Sequence, residues 1–300
     1  IFVKKLPFTG SGVAMVTPFT QDNTIDYESV ASLIEMHIKY KTDCIIACGT
    51  TGEASVLTDD EQENLIRFCV QCANGRIPII AGAGSNNTKA LVTKAQIAEA
   101  AGADGILSVT PFYNKANYTG LIGHYKALAK AVKLPIILYN VPSRTGMNMP
   151  VPAYLELSEE DNIVGIKEAN GNIAYVSEIR SRVPSLAIYA GNDDMTVPVM
   201  SLGGVGVISV LGNILPDKVS KMCSLALSGK IIEAGEMQNE LLPLIKELFF
   251  EVNPIPVKNA MRRLGYKVGS TRLPLGKPDE EKLDSLMNLL INRYGAEKLI

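Results

Sequence analysis

Tryptophan is absent from the 300 residues, histidine occurs twice and cysteine five times. With only His37 and His124, a histidine-rich zinc site that polarises a carbonyl is not expected, and no metal or cofactor is called for. Five cysteines at irregular spacing in a chain of this length do not make a secreted disulfide framework, and a reducing cytoplasm suits them better. Charge of one sign is also lacking. Lys plus Arg number 29 against 31 Asp plus Glu, so nothing favours nucleic acid or an anionic membrane surface, and a small-molecule partner is expected. The uncharged run 195–216 is interrupted by Pro198, Gly203, Gly204, Gly206, Gly212 and Asn213, too often for a spanning helix. It reads as a helix end, a turn and a buried strand. The leading segment 1–8 has neither a long apolar stretch nor a small-residue cleavage site, so no secretory signal is read there.

What is present is a repeated alternation. Short apolar, β-branched-rich runs fall at residues 13–17, 44–48, 77–81, 105–109, 136–139, 163–166, 187–189 and 205–210. Their lack of strict polar alternation suits strands buried on both faces of a parallel sheet. Between them lie helical patterns. Val30, Leu33, Ile34 and Ile38 form one stripe after the N-cap Asp26, and Thr58 with Glu61 has capping-box spacing. Eight such units predict a (β/α)8 TIM barrel, because closure removes the two edges of an open sheet; a doubly wound open sheet is the alternative. After Pro216 the strand signal stops while helical spacing continues through 241–249, 257–264 and 280–291, with Pro254 and Pro256 constraining the chain between helices. The expected division is a catalytic barrel over 1–230 and a helical C-terminal domain over 231–300.

In a parallel barrel, reactive groups belong at the C-terminal ends of the strands. Four clusters meet that condition: Gly49-Thr-Thr-Gly-Glu53, Thr110-Pro-Phe-Tyr-Asn114, Tyr139-Asn-Val-Pro-Ser-Arg-Thr145 and Lys167-Glu168. Lys167 leaves an apolar strand, so desolvation lowers its pKa and frees amine for attack on a carbonyl. The competing reading is a lysine reaching to the barrel mouth or paired with Glu168. Thr50 and Thr51 stand between glycines that turn the backbone tightly, an arrangement that suits a carboxylate or else a simple turn. Tyr139 and Tyr113 can donate or relay a proton, or merely pack. Arg144, after Pro142, can clamp a second carboxylate or stand exposed on its loop.

Other features favour plainer readings. Cys69 and Cys72 form a C-x-x-C, but they share a helical stripe with Leu65 and Phe68 near that helix's C-terminal end, where the dipole raises a thiol pKa. They read as core. His37 reads as a half-buried packing histidine. Gly82-Ala-Gly-Ser85 only loosely matches a phosphate cradle.

Taken together, the four clusters resemble the superfamily of dihydrodipicolinate synthases and N-acetylneuraminate lyases, class I pyruvate aldolases, over essentially the whole chain. Gly49-Thr-Thr-Gly-Glu53 and Tyr139-Asn-Val-Pro-Ser-Arg-Thr-Gly146 resemble the synthase branch. The lyase branch usually has Ser before Thr in the first motif and no arginine matching Arg144. The resemblance implies that Lys167 binds pyruvate as an imine whose enamine attacks L-aspartate 4-semialdehyde. It further implies that Tyr139 carries protons through Thr50 to Tyr113 and that Thr51 holds the pyruvate carboxylate. By the same resemblance Arg144 meets the carboxylate of the aldehyde, while Gly191 and Ile208 line the pyruvate pocket. Tyr113 would reach into a neighbouring subunit, making a homotetramer of tight dimers the implied assembly.

The chain departs from lysine-inhibited bacterial members of that branch. Asn86 is kept, but Asp59 and Gln62 stand in place of histidines, Ala54 in place of serine, Ala90 in place of an acidic residue and Phe112 in place of tyrosine. Weak or absent inhibition by L-lysine is therefore expected. Two other functions stay open at this point: a lyase or aldolase acting on a sugar acid, and a catalytically idle barrel that senses a ligand.

Overall fold

The computed structural model describes residues 4–296, so the first three residues of the leading segment and the last four of the C-terminal one lie outside the described residues. Eight parallel strands form a closed barrel in sequence order: β1 Gly10–Ala14, β2 Cys44–Ala47, β3 Ile79–Gly82, β4 Gly105–Val109, β5 Ile136–Asn140, β6 Ile163–Glu168, β7 Ala187–Ala190 and β8 Gly206–Ser209. The interposed helices are α1 Tyr27–Lys39, α2 Asp59–Ala73, α3 Thr88–Ala100, α4 Tyr118–Ala131, the short α5 Pro142–Thr145, α6 Val151–Leu157, α7 Ile173–Arg182, α8 Thr196–Ser201 and α9 Pro216–Leu227. Three more follow, α10 Ile231–Glu247, α11 Ile255–Arg263 and α12 Glu280–Tyr294.

Local signals set the helix starts. The Asp26 carboxylate accepts from the Ser29 N–H, and Thr58 and Glu61 complete a reciprocal capping box at α2. The strands are held by burial on both faces. Ile137, Ile80, Ile46, Ile208 and Leu107 fill the barrel interior, while Ile136, Leu138, Ile79 and Ile166 pack outward under the helices. Each buried aliphatic side chain contributes roughly 1.5–3 kcal/mol. At the base, Phe8 stacks on Tyr189 with ring centroids 4.6 Å apart, and the Tyr189 hydroxyl donates to the Phe8 carbonyl at 2.6 Å.

The first strand lies at Gly10–Ala14, upstream of the expected run 13–17. Its Gly-Ser-Gly composition hides it. Closure brings Gly10 against Gly206, where a Cβ on Gly206 would sit 2.0 Å from the Gly10 carbonyl oxygen. Only a residue without a side chain permits that approach. Gly82 has a similar role, since a Cβ there would lie 2.0 Å from the Cys48 carbonyl oxygen; the loop it opens begins with strand packing. His37 is wholly buried rather than half-buried; its Nδ1 meets the Thr42 hydroxyl at 3.0 Å, and burial pushes its pKa down to about 3. Cys69 lies in the core, where burial pushes its thiol pKa up.

The C-terminal helices join the same core through Ala234, Leu241, Leu244, Val257, Leu283 and Leu290. Polar side chains also tie them to loops at the barrel mouth. Gln238 of α10 donates to the Asp193 carbonyl at 2.9 Å and accepts from the Val197 N–H at 3.1 Å. Lys258 of α11 pairs with Glu53 at 2.6 Å, both side chains fully buried. No helix among the described residues is long and apolar enough to cross a membrane.

Candidate active site

Lys167 and Glu168 lie within β6 rather than after it, and they face opposite sides of the sheet. A shift in the β5–β6 register at Ile136/Ile137 puts Val164 inside the barrel and Ile166 outside. Lys167 therefore points inward, beside Tyr139, its register partner on β5. Its ammonium nitrogen lies 4.2 Å from the centroid of the Tyr139 ring. The pairing of Lys167 with Glu168 does not occur. Burial pulls the Lys167 pKa down to about 7, opposed by attraction to Asp193 and assisted by the positive charge of Arg144. Near neutral pH a substantial share of the amine is consequently uncharged and nucleophilic.

Asp193, on the loop after β7, is buried and fully engaged. It accepts from the Ser209 hydroxyl, from the Val210 N–H at 2.9 Å and from the Leu211 N–H at 3.1 Å. Burial nevertheless raises its pKa. Desolvation thus outweighs attraction on both sides of the Lys167–Asp193 interaction, which favours the neutral amine. Sequence reasoning missed Asp193; an acidic pair directly after a predicted strand was the available signal.

Tyr139 is buried, and burial pushes its phenol pKa up to about 12 against the opposing effects of the Arg144 charge and the Thr50 side chain. A neutral phenol next to an amine can give and retrieve a proton. Thr51 is buried, and its hydroxyl oxygen accepts from Asn253 Nδ2 at 3.0 Å. Arg144, on α5, is exposed and donates from Nη2 to the Asn253 carbonyl at 3.1 Å. Ile208 lies in the barrel interior in the same apolar cluster as Tyr139. Gly191 bonds through its N–H to the Glu168 carbonyl at 2.8 Å, and an added Cβ would come within 2.6 Å of Ala169 Cβ. Tyr113 stands apart. It is 91% exposed on the loop after β4, with φ +69°, and makes no hydrogen bond to a described residue.

On the outer face of the same two strands, Glu168 is also buried. Asn140 Nδ2 donates to both its oxygens at 3.0 and 3.1 Å, the Asn170 N–H donates at 2.8 Å and the Tyr154 hydroxyl at 3.3 Å. Burial raises its pKa to about 7 in spite of these donors. Asn140 and Glu168 are register partners one step beyond Tyr139 and Lys167. Their bond ties β5 to β6 next to the Tyr139–Lys167 pair. Asn253 and Lys258 likewise escaped sequence reasoning, because they sit on the helical extension, where the strand-end criterion does not reach.

An amine with a depressed pKa, a phenol, a hydroxyl and a guanidinium at one barrel mouth suit imine chemistry on a keto acid. Comparison with known proteins agrees. Residues 7–293 match the dihydrodipicolinate synthetase family. The chain is 52% identical over 293 residues, 97% of its own length and 98% of the relative's, to 4-hydroxy-tetrahydrodipicolinate synthase of Thermoanaerobacter sp. strain X514. It superposes with a TM-score of 0.94 and 43% identity on the crystal structure of dihydrodipicolinate synthase from Aquifex aeolicus, covering 96% of this chain and 98% of that one. With the chloride-inhibited dihydrodipicolinate synthase of Acinetobacter baumannii complexed with pyruvate, the TM-score is 0.93 and the identity 41%, over 95% and 99% of the two chains. By sequence over nearly its whole length, and by fold, the chain belongs to the dihydrodipicolinate synthetase family.

Proposed function

We propose that the chain condenses pyruvate with L-aspartate 4-semialdehyde to give 4-hydroxy-tetrahydrodipicolinate and water. The observation that carries this reading is Lys167, a buried amine with its pKa brought to about 7, set against the Tyr139 ring. The Lys167 Nζ adds to the keto carbon of pyruvate and water leaves, forming a protonated imine. Loss of a methyl proton gives the enamine, with Tyr139 the proton carrier, acting through the neighbouring Thr50. The enamine carbon attacks the aldehyde carbon, and the resulting alkoxide takes up a proton. The amino group of the second substrate then attacks the imine carbon and displaces Lys167, closing the ring and freeing the enzyme.

Thr51 serves the pyruvate carboxylate and Arg144 that of the semialdehyde, with Gly191 and Ile208 shaping the pocket. Arg144 suits a short amino-acid carboxylate, which favours the semialdehyde over a sugar acid. Tyr113 completes the relay from a neighbouring subunit; its exposed phenol, with no hydrogen-bond partner among the described residues, supports an assembly of tight dimers, and a homotetramer is the expected form. Residues 231–300 act as a helical domain that braces the mouth. Five unpaired thiols fit a cytoplasmic setting.

Borohydride reduction with pyruvate, followed by peptide mass mapping, tests the reaction class. A reduced pyruvyl adduct on Lys167 is expected. Pyruvate binding with no adduct on this residue would instead favour a sensing barrel. Turnover with each aldehyde separates the synthase from a sugar-acid lyase.

A further inference from the structure

We infer that Asn253, on the segment joining α10 to α11, is a positioning residue that couples the two carboxylate-holding groups of the site. Its side chain and its main chain engage different ones. Asn253 Nδ2 donates to Thr51 Oγ1 at 3.0 Å, and the Asn253 carbonyl accepts from Arg144 Nη2 at 3.1 Å. Thr51 and Arg144 are far from Asn253 in sequence, 202 and 109 positions away. No other described residue of the extension bonds to both.

The polarity of these bonds matters. A threonine hydroxyl has one proton to donate, and its oxygen can also accept. Because the amide occupies the oxygen as an acceptor, the proton of Thr51 is left for an anion in the pocket. The main-chain carbonyl holds one arm of Arg144 and leaves the other donors of the guanidinium for a second carboxylate. Asn253 is thus a fixed point between two anion sites. The chain that follows it is tied to the same loop: Lys258 N–H bonds to the Pro254 carbonyl at 3.0 Å, and the Lys258 ammonium pairs with Glu53 on the loop that carries Thr50 and Thr51. The amide oxygen Oδ1 is buried without a hydrogen-bond partner among the described residues. An unsatisfied buried acceptor is kept against the interest of stability, which points to a role in the site.

The inference rests on the imine reading of the site, and steady-state kinetics of the full-length enzyme with both substrates test it. Asn253→Ala is expected to raise KM for pyruvate by about tenfold or more, with a smaller rise for the semialdehyde and little change in kcat. In a Thr51→Ala background the same substitution should add almost nothing to KM for pyruvate, because the hydroxyl it orients is gone. Asn253→Asp keeps the shape while removing the donor; it turns the Thr51 proton toward itself and adds negative charge, so its KM rise should exceed that of Asn253→Ala. Equal effects of Asn253→Ala in both backgrounds, an unchanged KM for pyruvate, or a loss confined to kcat in folded protein would overturn the proposal. So would an Asp variant that matches wild type. Borohydride trapping of wild type separates the two readings: no Lys167 adduct removes both, whereas an adduct with unchanged KM values removes this one alone.

Discussion

Replacing Lys167 by Met should make the protein more stable at neutral and mildly acidic pH while abolishing imine formation. In the folded chain the amine titrates at about 7, against an ordinary value of 10.5. Each pH unit of that gap corresponds to about 1.36 kcal/mol, so holding a charged Lys167 in the barrel costs on the order of 5 kcal/mol as a ceiling. Below about pH 7 the folded and unfolded states both carry the proton, and the full cost is present. Between about 7 and 10.5 the unfolded state binds a proton that the folded state has shed, so wild-type stability rises with pH through this window. Met has similar bulk and no charge. Lys167→Met should therefore gain a few kcal/mol at pH 6.5, with the advantage shrinking toward pH 10. Lys258, with its pKa lowered to about 8, contributes a trend of the same sign, but it is common to both proteins and cancels in the difference. Urea denaturation followed by far-UV circular dichroism suits a chain without tryptophan, at fixed protein concentration because assembly adds to stability. A stability difference that stays constant from pH 6 to 10, or a variant less stable than wild type at pH 6.5, would refute the reasoning.

Lys258→Met should lose about 3–5 kcal/mol, because it takes from the buried Glu53 carboxylate its ion-pair partner and leaves the Arg272 N–H at 2.9 Å as its remaining hydrogen bond among the described residues. Adding Glu53→Gln should recover part of it in the same urea assay; a single-variant loss below about 1 kcal/mol would mean the pair is not holding the extension to the loop. Tyr113→Phe should slow turnover while pyruvate is still trapped on Lys167 by borohydride, and unchanged turnover would count against a relay through this phenol. L-lysine should inhibit weakly or not at all. The ammonium of Lys94 already pairs with Asp59 at 3.2 Å and bonds to Gln62 Oε1 at 3.1 Å, occupying the polar groups a lysine ligand would need. Half-inhibition at sub-millimolar lysine would contradict this.

Much of the barrel could be read from the chain, because the features that announce it are local. β4 falls at its expected bounds, Gly105–Val109, and the capping box of Thr58 and Glu61 starts α2 where its spacing indicates. β1 was displaced because strand propensity is weak in Gly-Ser-Gly, and the demand for those glycines comes from β8, almost 200 residues later. The candidate site groups stood out for the same reason as the strands: Lys167, Tyr139, Thr50, Thr51 and Arg144 follow or end apolar runs. Their supports were not. Asp193, Glu168, Asn140, Asn253 and Lys258 act through contacts across the fold, and a polar residue in sequence carries no mark of the partner it will meet.

By itself the sequence determined that strands and helices alternate eight times before a helical tail, since hydrophobic period and capping act within a few residues. It also marked an amine at a strand end as the group to watch. Tertiary structure alone decided which way that amine faces. The register shift between β5 and β6 turns Lys167 inward against Tyr139 and sends Glu168 to the opposite face. Only closure of the barrel removes water from around Lys167 and brings its pKa to about 7, and only packing of the C-terminal helices places Asn253 against Thr51 and Arg144. Burial and long-range hydrogen bonding are properties of the assembled chain, so neither is encoded at any single position.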